Sequence, residues 1–194
     1  MNFLAHLYLS PNDEYVRLGN FFADAVKGKN YLNYPEKIQK GILLHRAIDH
    51  FTDTHKIHKQ SKQRLNRRYG HYKSVIIDLF YDHFLAKNWS TYATIDLKVF
   101  SESFYKYMHQ HYDLLPEQTK YMLPYIEKFN WLYNYQYFEG MQEVLNGMNR
   151  RTKNKSNMHL ALEDLKKKYT EFESDFTVFF EELIHFSENT YRNL

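Results

Sequence analysis

The 194-residue chain contains no cysteine. That absence excludes a disulfide framework, a thiolate zinc site and a cysteine nucleophile, and it fits a reducing compartment, with the cytoplasm as the expected location. Glycine and proline are scarce. The 6 Gly and 4 Pro make about 5% of the chain against roughly 12% in average usage, which argues against collagen-like, low-complexity and turn-dense all-β architectures. No apolar run approaches the roughly 18 residues of a membrane-spanning helix, so no membrane role is expected. The opening Met1–Ser10 is apolar but lacks a basic n-region and a small-residue cleavage site, and reads as mature structure. Also missing are a Gly-rich phosphate loop, a dinucleotide fingerprint, a Gly-x-Ser-x-Gly elbow and a His-Glu-x-x-His pair. Nucleotide-driven phosphoryl transfer and elbow-type serine hydrolysis therefore receive no support.

What is present points to helices. Apolar spacing marks five or more helical segments, and no segment alternates with a period of two. The expected fold is all-α, a single-domain helical bundle over residues 1–194. Pro35 lies where a first turn begins, and Glu36 to about Lys56 runs on with only Gly41 as a breaker. A second helix is expected from Ser74 to Trp89. Phe100, Phe104, Met108 and Tyr112 form a stripe ending before Pro116, and the helix that follows is expected to be interrupted near Pro124. Residues 149–157 contain no apolar side chain and read as a loop, followed by a long amphipathic helix over about 158–188. The 18 Tyr and 15 Phe fall on the same helical stripes as the aliphatics and are read as core.

The net charge of +3 is too small for a nucleic-acid signature, and no nucleic-acid partner is expected. Its distribution is uneven. Lys59, Lys62, Arg64, Arg67, Arg68 and Lys73 form one basic stretch and Arg150, Arg151, Lys153 and Lys155 another; each is a solvated face or a surface for an acidic partner.

The placement of His and Asp within helices carries the chemistry. Helical geometry puts His45, Asp49 and Asp53 in one line, four residues apart, with Leu44, Ile48 and Phe51 on the opposite arc. That line holds no Lys, Glu or Gln, and an imidazole with two carboxylates is a ligand set for a divalent metal. Arg46 sits at its edge, placed to meet an anion. Asp82 shares an apolar face with Val75, Leu79, Ala86 and Trp89. A carboxylate there costs several kcal/mol unless it is paired, hydrogen-bonded or metal-bound, and His83 is adjacent. His6 and Asp24 also stand in apolar settings, and four segments each turning a His or Asp inward suggest one metal-binding centre. His55, His58, His71, His109, His111, His159 and His185 lack such partners and read as surface or packing residues.

The stretches Met1–Leu7, Gly19-Asn20 through Asp24, Gly41 through Asp53, Asp82-His83-Phe84-Leu85 with Trp89, and Val144–Met148 resemble, in order and spacing, the acyl-carrier-protein phosphodiesterase family. The resemblance implies an HD-hydrolase-like fold and a divalent cation, Mn²⁺ in the first place with Mg²⁺ or Fe²⁺ as alternatives. It also implies removal of the 4′-phosphopantetheine arm from holo-acyl carrier protein, an acidic protein substrate. The chain has no adjacent His-Asp pair, only Asp49-His50 and Asp82-His83 in reversed order, so ligands do not transfer from ordinary HD enzymes by motif. Under this reading Asp24, His45, Asp49 and Asp82 form the ligand pool, and Asp53 and Asn20 extend or orient it. Arg46 stabilises phosphoryl oxygens, His83 or His6 protonates the departing serine alkoxide, and Arg64, Arg67, Arg68, Arg150 and Arg151 dock the carrier. The alternatives are an HD-like phosphohydrolase acting on another small phosphodiester or nucleotide, and a non-catalytic helical adaptor for an acidic protein.

Overall fold

Asp13 and Pro35 start the two helices that build the centre of the molecule. The Asp13 carboxylate accepts hydrogen bonds from the amides of Tyr15 and Val16, satisfying donors that a helix start leaves free. Pro35 precedes the first turn of the next long helix, where a fixed φ and a missing N–H cost nothing. The computed structural model describes all 194 residues, Met1–Leu194, as helices and connections with no strand. The helices are α1 (Phe3–Tyr8), α2 (Glu14–Phe22), α3 (Glu36–Thr54), α4 (Lys56–Arg64), α5 (Lys73–Lys87), α6 (Trp89–Tyr92), α7 (Leu97–Gln110), α8 (Glu117–Lys128), α9 (Trp131–Asn134), α10 (Phe138–Arg151), α11 (Ala161–Lys167) and α12 (Tyr169–Arg192). One continuous apolar core joins side chains from Met1 to Leu183, so the chain is a single all-α domain. No helix is long and apolar enough to cross a membrane.

Helix α5 is buried from Ile76 to Ala86 on nearly every side, as expected of a central helix. Around it pack α1, α4 and α12. The α12 stripe Phe172, Phe176, Phe179, Phe180 and Leu183 is fully buried, with Phe172 edge-on to Phe80 at 5.3 Å and Phe179 against Tyr81 at 5.2 Å. Much of the aromatic load is core, as expected, but Tyr112, Tyr121, Tyr125, Phe129 and Tyr137 are exposed.

Three boundaries differ from the sequence reading. The stretch expected as one helix over 158–188 is two helices, α11 and α12, parted at Lys168 (φ −126°, ψ 38°). Contacts outside the helix hold the break: Lys168 Nζ donates to the Arg64 carbonyl at 2.7 Å, and the Tyr169 ring sits edge-on to Phe84 at 5.0 Å. Helix α10 runs to Arg151, three residues into the expected loop, because the buried Asn149 amide knits the following turn through Asn154 and Ser156. Helix α8 continues through Pro124 rather than stopping there.

The closest helix crossing is α2 on α3. A Cβ on Gly19 would stand 2.2 Å from the Ile38 carbonyl oxygen, and one on Gly41 would stand 2.2 Å from that of Val16 and 2.8 Å from the Asn20 nitrogen. Only glycine allows the two backbones to meet this way, and the contact lies beside Asn20. Gly41→Ala is expected to destabilise the protein by about 2–3 kcal/mol in urea unfolding, the range for an overpacked core that cannot relax; an unchanged midpoint contradicts this packing.

Candidate metal centre

Asn20, in the last turn of α2, meets two imidazoles. Its Oδ1 lies 2.8 Å from His6 Nδ1, and its backbone carbonyl lies 2.7 Å from His45 Nδ1. The Asn20 Nδ2 donates to the His6 carbonyl and to Ser10 Oγ, both at 2.9 Å, which fixes the amide with its oxygen toward the His6 ring. Both acceptors face Nδ1, so each ring carries its proton there and turns the Nε2 lone pair the other way. The rings stack with centroids 3.9 Å apart and planes 15° from parallel, so both Nε2 atoms face the same place.

That place is Asp49, one turn beyond His45 on α3. Its Oδ1 lies 3.2 Å from His6 Nε2 and its Oδ2 lies 3.1 Å from His45 Nε2; Asp24 Oδ1 approaches His45 Nε2 to 3.3 Å from the short turn after α2. These approaches are close but misdirected for hydrogen bonding: both Nε2 atoms are buried and neither has a partner of acceptable hydrogen-bond geometry. One ligand atom each from His6, His45 and Asp49 lie within 4.8 Å of one another. Metal–ligand bonds of about 2.0–2.2 Å leave their ligand atoms at such separations. The group can hold a metal ion, and Asn20 supplies the orienting hydrogen bonds that metal-ligating histidines require.

The same geometry sets the charges. Burial lowers the His45 imidazole, but Asp24 and Asp49 outweigh it and hold His45 at about 9. His6, buried and beside the cationic His45, falls to about 4. Burial raises the Asp49 carboxyl, yet its contacts with the two imidazoles keep it far below the usual carboxylate range, and contact with His45 lowers Asp24. Without a metal ion His6 is therefore neutral at neutral pH and His45 carries one extra proton.

The structure groups His6, His45 and Asp49 on Asn20, with Asp24 at their rim: expected to turn inward, the Asp24 side chain is 80% exposed because it lies in the short turn after α2, and the other candidates stand elsewhere. Asp82 is fully buried, but its two oxygens accept from the amides of Leu4 at 2.8 Å and Ala5 at 3.1 Å. It caps α1 from α5 and so positions the helix that carries His6. Burial pushes its carboxyl up to about 7 against the pull of those amides. His83 spends both ring nitrogens, Nδ1 with the Tyr135 carbonyl at 2.7 Å and Nε2 with the Tyr169 hydroxyl at 3.0 Å. Asp53 is exposed one turn past Asp49 and makes no hydrogen bond or ion pair. Arg46 Nη2 donates to the carbonyls of Val26 and Gly28 at 3.0 and 2.9 Å, and its guanidinium lies over Tyr31. It thereby secures the segment that follows Asp24. Of the docking candidates, Arg64 is held by Asp175 through two hydrogen bonds of 2.7 and 3.1 Å. Arg67 and Arg68 are exposed, and Arg150 and Arg151 line a groove that Asp24 also borders. Sequence reasoning gave no part to His58 and Asp78, which form a buried pair at 3.1 Å; the only signal was Asp78 one turn before Asp82.

Comparison with known proteins places this geometry in a family. The family model described as acyl carrier protein phosphodiesterase matches residues 1–183. Curated proteins named acyl carrier protein phosphodiesterase are similar along nearly the whole length: one from Photorhabdus laumondii is 30% identical over 97% of this chain and 96% of its own. Another, from Klebsiella pneumoniae strain 342, is 31% identical over 97% and 98%, and one from Yersinia pestis is 33% identical over 79% and 80%. No solved structure matches.

Removing the Asp82 carboxylate strands two buried amides, each worth about 1–3 kcal/mol. Asp82→Ala is expected to lower unfolding free energy by about 2–4 kcal/mol and Asp82→Asn, which keeps one acceptor, by less. Equal stability of all three proteins would contradict the capping role.

Proposed function

The chain belongs to the acyl carrier protein phosphodiesterase family, hydrolases that act on a phosphodiester, and from that premise we propose that it releases the 4′-phosphopantetheine arm of holo-acyl carrier protein at a divalent cation held by His6, His45, Asp49 and Asp24. The products are the apo-carrier and 4′-phosphopantetheine. The observation that supports this most is the pair of buried Nε2 atoms, both without hydrogen-bond partners and both turned to Asp49. Buried polar atoms are otherwise satisfied, and an imidazole whose Nδ1 is already held presents Nε2 as a ligand. A mixed set of two imidazoles and two carboxylates suits Mn²⁺ or Fe²⁺ better than Mg²⁺, which favours oxygen; Mn²⁺ is our assignment. When bound, such a cation lowers the pKa of water and neutralises charge on a phosphodiester.

The remaining residues hold and steer. Asn20 keeps both imidazoles in the tautomer that offers Nε2, and Arg46 holds the segment next to Asp24. Arg150 and Arg151 give the mouth of the adjoining groove positive charge. The Arg68 carbonyl accepts from Asn157 Nδ2 at 3.4 Å, so the turn after α10 with Lys153 and Lys155 lies beside Arg67 and Arg68. The two basic stretches thus form one surface for an acidic carrier, which steers its approach. Arg64 is committed to Asp175 and serves the fold instead.

Purified protein is expected to bind stoichiometric Mn²⁺ and to release 4′-phosphopantetheine from holo-carrier, followed by mass spectrometry. Asp49→Ala and His45→Ala are expected to lose both properties while retaining helical circular dichroism, and Asn20→Ala to weaken metal affinity about 10- to 100-fold. Full turnover by a metal-free protein would contradict the assignment.

Metal binding must displace the proton on His45, whose imidazole titrates at about 9. Below that pH one proton leaves for each cation bound, so affinity is expected to rise about tenfold per pH unit between pH 7 and 9 and to level off above. Calorimetry in buffers of different ionisation enthalpy measures the released proton directly; none released at pH 7 would contradict the His45 assignment.

A further inference from the structure

Glycine inside a helix weakens it relative to alanine and is retained where a side chain has no room. Gly19, Gly41 and Gly140 meet that condition, each with a backbone oxygen 2.2 Å from where a Cβ would stand. Gly147 does not. It lies in the interior of α10, and the nearest atom to its missing Cβ is Arg150 Nη2 at 3.8 Å. The space beside it belongs to a groove of about 700 Å³, within the roughly 300–1,000 Å³ typical of ligand sites.

The groove borders Asp24 at the metal centre and runs between α8 and α10. Val75, Met122, Trp131, Val144 and Met148 line it, with Arg150 and Arg151. On its α8 side Tyr121, Tyr125 and Phe129 follow one another at four-residue spacing and stay 72%, 48% and 51% exposed. Tyr121 packs on Tyr125 at 5.7 Å and Lys128 Nζ lies 5.4 Å from the Phe129 ring, and the rest of this aromatic row is open to the groove, which makes it a binding wall.

Resting on the function proposed above, we propose that this groove receives the linear acyl chain carried on the arm of an acylated carrier, and that Gly147 sets the chain length it accepts. Asp24, whose Oδ1 lies 3.3 Å from His45 Nε2, borders the groove, so a phosphodiester beside it can send its attached arm that way. Its positive charge is gathered at Arg150 and Arg151, and the α8 wall offers rings rather than charges. That division matches a ligand with an anionic end and an apolar one. A side chain on Gly147 enters the groove without disturbing the core, since nothing lies within ordinary contact distance of its Cβ except the mobile end of Arg150.

The test compares kcat/KM for carriers bearing no acyl group and a dodecanoyl group. Gly147→Leu is expected to lower the ratio of the dodecanoyl to the unacylated value at least tenfold relative to wild type. An unchanged ratio overturns the proposal, whether both values fall together or neither moves. A second measurement does not depend on turnover: S-dodecanoyl-pantetheine is titrated against the fluorescence of Trp131. Wild type is expected to respond saturably, and Gly147→Leu only at tenfold or higher concentration. No response in wild type, or equal response in both, overturns the proposal. A protein that binds this probe with the expected difference yet cleaves neither carrier would refute the phosphodiesterase reading and leave the groove standing. Gly147→Ala is expected to raise the melting midpoint by about 2–4 °C, and a fall instead would show that the glycine serves packing and overturn its role in the groove.

Discussion

One amide side chain and its own carbonyl orient the whole centre. Asn20 offers two oxygens to two imidazoles while its nitrogen is tied to the His6 carbonyl and Ser10. An amide free to rotate would present oxygen or nitrogen to the His6 ring, and the imidazole would follow with either face. Here the choice is made by the His6 carbonyl, which only accepts, and by Ser10 Oγ, whose own proton goes to that same carbonyl. The α2–α3 crossing stands behind this arrangement. Two glycines bring the Asn20 backbone against α3 closely enough for its carbonyl to reach His45. The Asp82 carboxylate, which touches none of the ligand atoms, holds the start of α1 through the amides of Leu4 and Ala5 and so positions His6. Core packing, a helix cap and one amide thus converge on the direction of two lone pairs.

The electrostatics follow from that convergence. A half-exposed carboxylate, Asp49, faces two buried rings, and one of them takes a proton to match it. A cation answers the same negative charge with bonds in place of misdirected contacts, and it frees the proton. His6, His45 and Asp49 can hold a cation, and the positive charges that face Asp49 without one are the His45 proton and the Met1 ammonium, 3.4 Å from Asp49 Oδ1. A cation held there would lower the pKa of water and neutralise charge on a phosphodiester.

The all-α class, the α3 and α5 helices and the alignment of His45 with Asp49 were legible in the sequence because each is a local periodicity. The inward setting of His6 was legible as polarity out of place; Asp24, read the same way, stands exposed at the edge of the centre, because it lies in the short turn that leaves α2 and only its Oδ1 leans on His45. Asp82 showed the limit of that signal: a carboxylate on an apolar face announces that it has a partner, but not whether the partner is a metal or two backbone amides 78 and 77 residues away. His83 Nδ1 and Arg46 follow the same logic, since they are held by carbonyls, which every residue has and no sequence marks. The break at Lys168 was hidden for a related reason, as a tertiary hydrogen bond to the Arg64 carbonyl overrides an unbroken amphipathic pattern. Gly147 was visible only as part of a family-like stretch; its meaning needed the empty space beside it.

The account turns on where a cation sits. Anomalous diffraction at the manganese edge from crystals soaked in Mn²⁺ measures this directly. The predicted result is a peak about 2.0–2.3 Å from both His6 Nε2 and His45 Nε2 and from an Asp49 oxygen. A peak at Asp78 and His58 with none between the stacked imidazoles, or no peak under saturating Mn²⁺, would contradict it.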